Sequence, residues 1–155
     1  MAYSLLSNLK NSQKHGVIIM KQLVEQVKQW GVARGLDKVG HLAQAEYTLK
    51  ETAELLEAYA DKDINKINDA IGDILVTLIV GASNDIVFYD NFKNLIISGN
   101  SGCRPVNQMS FSHLYNELTV NVFQLEYSIK SGVILDISYR YCYHSLFEIL
   151  GWANF

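Results

Sequence analysis

Apolar side chains recur at helical spacing through most of this chain. Val17, Met20, Val24, Val27 and Trp30 follow one another in steps of three or four, which predicts a helix from about Gly16 to Arg34 with Gly35 as its stop. Leu42, Ala45, Leu49, Ala53, Leu56 and Ala60 repeat the pattern and predict a second helix, His41 to Ala60, with that stripe turned to the core. Asp61 and Asp63 then supply a turn and a helix N-cap. A third helix is expected from Ile64 to Ala82, with Ile64, Ile67, Ile71, Ile74, Leu75 and Leu78 on one side. Its segment Ile74-Leu75-Val76-Thr77-Leu78-Ile79-Val80 is apolar on nearly every side, the mark of a helix buried all round.

Beyond Ser83 the pattern is less regular. Asp85 to Ile97 reads as a short helix, and Ser98 to Asn107, rich in Gly, Ser and Asn, reads as a loop. Two further helices are expected, Ser112 to Lys130 and Leu135 to Leu150, separated near Gly132. The stretch Val133 to Tyr143 also alternates like a strand through Ile137, Tyr139, Tyr141 and Tyr143. Pro105 is the single proline, which suits a chain of long helices. The expected fold is all-α, and 155 residues with 49% hydrophobic side chains fit one domain spanning 1–155.

Composition narrows the function classes. A net charge of -3 gives no basic footprint, so neither nucleic acid nor an anionic membrane surface is an expected partner. No apolar run is long enough to span a bilayer and no signal-peptide pattern opens the chain, so the expected location is the cytoplasm. Cys103 and Cys142 lack CxxC or metal-finger spacing and read as reduced thiols, Cys142 buried.

The chemistry lies in two acidic patterns. Lys50-Glu51-Thr52-Ala53-Glu54-Leu55 and Asp69-Ala70-Ile71-Gly72-Asp73-Ile74 each place two carboxylates three or four residues apart, on one face of a helical turn. If the two helices pack together, Glu51, Glu54, Asp69 and Asp73 face a common point, and a cluster of hard oxygen ligands suits magnesium or manganese. The bland alternative for Glu51 and Glu54 is a solvated face opposite the Leu49 stripe. Asp73 borders the all-apolar segment, where a buried carboxylate needs either a cation or a hydrogen-bonded core network. Gly72 beside it, costly in mid-helix by about 1 kcal/mol, suggests a close approach to the backbone.

These residues carry a resemblance. KETAELLEA, fourteen residues between Glu54 and Asp69, and DAIGDILVTLI resemble the MazG-like all-α nucleoside triphosphate pyrophosphohydrolases, a superfamily that includes dimeric dUTPases and phosphoribosyl-ATP pyrophosphohydrolases. The resemblance covers about Val17 to Ala82; a first helix with Trp30, Arg34, Gly35 and Leu36 is similar to the family's W-x-x-x-R-x-L segment. It implies a four-helix core, here with an additional C-terminal helical segment, completed by association into a homodimer or homotetramer. It also implies magnesium held between the second and third helices. In the family signature, EExxE followed by ExxD, Glu51, Glu54 and Asp73 match, whereas Lys50 stands for the first glutamate and Ala70 for the glutamate of ExxD. Asp69 lies one residue earlier, within about 40° of Asp73 around the helix, and is placed to substitute.

The resemblance implies hydrolysis of a nucleoside triphosphate between its α- and β-phosphates, giving a monophosphate and pyrophosphate. Glu51, Glu54, Asp69 and Asp73 would then be the metal ligands, with Glu54 by preference, or Glu51, acting on the attacking water. Trp30 would be a base-stacking candidate, Arg34 or Gln22 a polar contact and Lys50 a phosphate contact; Trp30 as core and Lys50 as a solvated side chain are the competing readings. The two departures keep a second function open, a nucleotide- or metal-binding helical module without turnover. The four histidines show no ligand spacing, and the cluster Tyr139, Arg140, Tyr141, Tyr143 and His144 reads as packing, with Arg140 able to reach a phosphate across a subunit contact as the alternative.

Overall fold

Asp63 begins the central element by chemistry local to one turn. Its backbone is extended, and its carboxylate accepts the N–H groups of Asn65 (2.9 Å) and Lys66 (3.3 Å), two of the donors a helix start leaves unpaired. The helix it caps lies third of six in a computed structural model that describes residues 17–98, 109–133 and 136–153. The helices are α1 (Val17–Ala33), α2 (His41–Ala60), α3 (Ile64–Ala82), α4 (Ile86–Ser98), α5 (Phe111–Ser131) and α6 (Asp136–Ala153), with a 3-10 turn at Leu36–Lys38; the described residues contain no strand. Ser110 caps α5 through the His113 N–H (3.2 Å), and Gly132, at φ 69°, closes it in the left-handed conformation that only glycine adopts freely.

Bounds from the sequence pattern agree with these helices to within a residue or so for the first five. The strand-like alternation at 133–143 does not become a strand. Tyr139, Cys142, Tyr143, Leu146, Ile149 and Leu150 are buried at steps of three, one, three, three and one, a helical stripe that overrides the alternation of Ile137, Tyr139 and Tyr141. The predicted loop lies outside the described residues from 99 onward, as do Cys103 and Pro105; Ser98 ends α4. Cys142 is fully buried, which pushes its thiol up to about 12.

α3 is the axis. Ile67, Ala70, Ile71, Ile74, Leu75, Leu78, Ile79, Val80 and Ala82 are all buried, and α1, α2, α4 and α6 each pack on it. α2 runs antiparallel beside it across the short turn at 61–63, α5 packs on α2, and α6 returns along α5 to close on α3. No helix among the described residues is long and apolar enough to cross a membrane.

The face that α2 turns inward differs from the predicted one. Gln44, Ala45, Thr48, Thr52, Leu55 and Ala58 are buried, whereas Ala53, Leu56 and Ala60 of the expected stripe are exposed and Leu42 and Leu49 only half-buried. Thr48 Oγ donates to the Gln44 carbonyl (2.9 Å) and Thr52 Oγ to the Thr48 carbonyl (2.7 Å), so the hydroxyls enter the core already satisfied. Thr48 Oγ also lies 2.9 Å from Thr77 Oγ of α3, pinning the register of the two helices.

The far end of this seam is clamped by neutral hydrogen bonds. Asn84 accepts the Gly40 N–H (2.9 Å) and donates towards the carbonyls of Leu36, Val80 and Gly81, tying the α1–α2 turn to the end of α3. His41 Nδ1 and the buried Tyr139 Oη are 2.7 Å apart, joining α2 to α6. Gly81 makes room for this contact, since a Cβ there would sit 2.9 Å from Tyr139 Oη and 3.3 Å from Gln44 Cβ. Gly81→Ala is therefore expected to lower stability by about 1–3 kcal/mol despite alanine's better helix propensity. Tyr139→Phe, which removes the crowding oxygen, should make the double substitution cost less than the sum of the two singles in denaturant titrations. A harmless Gly81→Ala or strictly additive costs would contradict the close packing.

Candidate metal centre

The α2–α3 hairpin sets two acid-bearing helix faces beside each other near its turn. Counting from the Thr48–Thr77 contact along antiparallel helices brings Glu51 within a residue of Asp73 and sets Glu54 level with Ile71, between Asp69 and Asp73. A surface depression of about 250 Å³ lies there, lined by Glu54, Glu57, Ala58, Asp61, Lys66, Asp69, Ala70 and Asp73. Asp73 is half-buried, flanked by buried Gly72 and Ile74, which answers the expectation that it borders the core; Glu51 is half-buried and Glu54 and Asp69 are exposed.

Proximity shows in the acid–base chemistry. Glu51 is raised from its ordinary 4.5 to about 7, first by burial, then by a hydrogen bond to the Glu54 carboxyl and by the charges of Glu54 and Asp73, with Lys50 opposing. Asp73 is raised as well, by burial and then by the charges of Asp69 and Glu54. Glu51, Glu54, Asp69 and Asp73 thus form one electrostatic group, in which Glu54 acts on both Glu51 and Asp73. Among the described residues no three His, Cys, Asp or Glu side chains are drawn together closely enough to hold an ion as they stand. Glu54, Asp69 and Asp73 line one depression from two helices without converging on one point, and Glu51 is not among its lining residues.

Sequence spacing could also have found Glu57 and Asp61. They lie three and seven residues after Glu54, on the same helix face, and both line the depression. Lys66 is the cation among the lining residues, paired with Asp61 at 2.9 Å while both stay more than half exposed. Lys50 is exposed and acts on Glu51 through its charge. Position 70, where the family glutamate would stand, is buried and lines the same depression as Asp69.

The other predicted contacts are not gathered here. Arg34 lies over the Trp30 ring at 4.3 Å and donates to the Trp30 carbonyl at 3.2 Å, while Trp30 is half-buried against the core. The neighbouring Gly31 packs on Val80, about two helical turns along α3 from Asp73. Gln22 lies on the outer face of α1 among Lys21, Glu25, Gln26 and Gln29. Arg140 is exposed, and His144 is lowered by burial and then by the Arg140 charge. No family model matches the chain, and comparison with curated proteins and with solved structures likewise returns no match.

A raised Glu51 has a defined consequence for stability in metal-free buffer. The folded protein keeps a proton on this carboxyl between about 4.5 and about 7, where the unfolded chain has released it, so the stabilisation is complete below 4.5 and is lost as pH rises through 7. Melting temperatures of wild type and Glu51→Gln should therefore move in favour of the glutamine variant across that window. A difference independent of pH would show that Glu51 is not coupled to its neighbours.

Proposed function

We propose that the chain is a magnesium-dependent nucleoside triphosphate pyrophosphohydrolase of MazG-like type, with a four-helix core and further copies completing the assembly. The observation that carries this reading is the placement of Glu54, Asp69 and Asp73 around one depression across the α2–α3 hairpin, with Glu51 and Asp73 raised by burial and then by the charge of neighbouring acids. Carboxylates held together on a half-buried surface gain most from a divalent cation, which would displace the proton on Glu51 and relieve their repulsion. The donor set, all carboxylate oxygen, fits magnesium or manganese, and Glu54 and Asp69 are exposed side chains free to turn inward onto an ion.

When bound by Glu51, Glu54, Asp69 and Asp73, such an ion would supply positive charge that offsets the negative charge developing on the phosphates. Glu54 takes the proton of the attacking water, whose oxygen bonds to the α-phosphorus as the bond from that phosphorus to the α–β bridging oxygen breaks. Pyrophosphate leaves with the bonding electrons, and the monophosphate remains. Glu51 and Asp73, set deeper, hold the ligand geometry, and Asp69 takes the place of the family's ExxD glutamate. A cytoplasmic setting and a nucleotide substrate belong to the same proposal.

Ala70 favours a second reading. The buried position in line with Asp73 offers no oxygen, and its substitute Asp69 lies on the exposed rim, an arrangement suited to binding a metal or nucleotide without turnover. Two measurements separate the possibilities. Magnesium at a hundredfold excess over its dissociation constant should raise the melting temperature by roughly 5–10 °C in wild type and not in Asp73→Asn, whereas a purely structural bundle shows no shift. Pyrophosphate release screened over canonical and damaged nucleotides, with magnesium or manganese, should reveal a substrate whose hydrolysis falls at least about a hundredfold in Glu54→Gln and in Asp73→Asn while both stay folded. Full turnover in both variants would overturn the catalytic assignment; a metal shift without any hydrolysis would establish the binding module.

A further inference from the structure

The last third of the chain, which the family resemblance does not reach, carries a second apolar face. α5 buries Phe111, Leu114, Leu118, Val122 and Leu125, yet on its opposite side Val120 (58% exposed), Phe123 (56%) and Tyr127 (67%) form a ridge stepped by three and four residues. With Asn116 and Gln124, the exposed positions of the middle of α5 carry no charge, whereas a solvated helix face ordinarily does. His113–Glu117 and Glu126–Lys130 are paired within the helix on either side of this uncharged stretch.

Beside the ridge runs a groove. It lies between α5 and α6, holds about 690 Å³ and is lined by Asn121, Gln124, Ser128, Val133, Ile137 and Tyr141. Asn121 donating to the Tyr141 carbonyl and to Ser145, with Ser138 bonded to Ser128, fixes its floor. Ile137 and Tyr141, each more than half exposed, form the opposite wall. Val120, Phe123, Tyr127, Val133, Ile137 and Tyr141, each about half exposed, present on the order of 600 Å² together. That lies at the top of what a monomer usually leaves bare and approaches the ~800 Å² that each partner of a stable pair contributes.

We propose that this face binds a second copy of the same chain about a two-fold axis, the α5 ridge of each protomer seated in the α5–α6 groove of the other. Ridge and groove lie side by side on one surface, so a two-fold rotation satisfies both at once, the self-complementarity an isologous contact requires. A different partner would have to supply both shapes. The absence of charge along the ridge lets two chains of net charge -3 approach there without opposing like charges. The contact gives a surface to the association included in the functional proposal and uses no step of its chemistry.

Sedimentation of the full chain tests it. Wild type should sediment at a multiple of the 17.5 kDa chain mass at micromolar concentration. Phe123→Glu on the ridge and Ile137→Glu on the groove wall should each halve the assembly and weaken association at least about thirtyfold, the loss expected for one anchor at a contact centre, with helicity unchanged. Val39→Glu, at another exposed apolar position, in the α1–α2 turn, should leave the mass alone. If a glutamate variant fails to fold, Phe123→Gln and Ile137→Gln replace them under the same criterion. A monomeric wild type overturns the proposal and leaves the face to a partner of different sequence; so does an assembly that survives both substitutions or falls apart with Val39→Glu. The magnesium-dependent melting shift of Phe123→Glu should equal that of wild type, so failure of this contact is distinguishable from failure of the metal site.

Discussion

The constraint on which the structure depends is that α3 has almost no side fit for water. Ile71, Ile74, Leu75, Leu78 and Ile79 are each at most 1% exposed, and burying each such side chain contributes about 1.5–3 kcal/mol relative to leaving it in solvent. No single neighbour can cover a helix on all sides, so α1, α2, α4 and α6 are drawn around it. Asp73 follows from the same constraint. It stands where the all-apolar segment begins, too deep to be fully hydrated and too near the surface to be sealed off, and α2 brings Glu51 and Glu54 against it because α2 has to cover α3.

Helix positions were legible in the sequence because the signals that set them are local: Asp63 as an N-cap, Gly132 as the break between the last two helices, and apolar spacing within each segment. The inward face of α2 was not. That helix carries two stripes, one of Leu42, Leu49 and Leu56 at steps of seven, the other of Thr48, Thr52 and Leu55 at steps of four and three, and hydrophobicity alone selects the leucines. The fold selects the threonines because their hydroxyls bond to carbonyls one turn back, which removes most of the cost of burying them, and because their small size lets α2 approach α3 closely. Local bonding of this kind leaves no trace in a hydropathy pattern. Within α6, by contrast, the buried tyrosines disclosed their helical spacing only when read together with Cys142, Leu146 and Ile149 rather than with the alternating Tyr141.

The candidate site divides in the same way. Glu51, Glu54, Asp69 and Asp73 were legible as two faces because helical spacing within each pattern is a local property, and the short turn between the helices implies that the faces meet. Glu57 and Asp61 obey the same spacing rule but stand outside the acidic signature. Trp30 and Arg34 depend on how α1 lies against α3, a tertiary matter; Gly31 against Val80 sets that height and keeps the pair beside each other rather than over the acids. Whether position 70 faced core or solvent was likewise invisible, and that orientation bears most on whether the acids can surround an ion.

The two ends of the α2–α3 seam are balanced oppositely. At the Gly40–Asn84 end, polar groups meet in neutral hydrogen bonds: Asn84 bridges three carbonyls and an N–H, Thr48 meets Thr77, and His41 meets Tyr139. Burial there lowers His41 and raises Tyr139, and both shifts favour the uncharged forms that such bonds use. At the turn end, burial and like charge act together to raise Glu51 and Asp73, with Lys50 opposing at Glu51. The closed end fixes the register of the helices, which holds the two acid faces opposite each other even though they repel. A cation entering the open end would therefore meet ligands whose backbone positions are already set, and the reorganisation left to it is confined to the exposed side chains of Glu54 and Asp69.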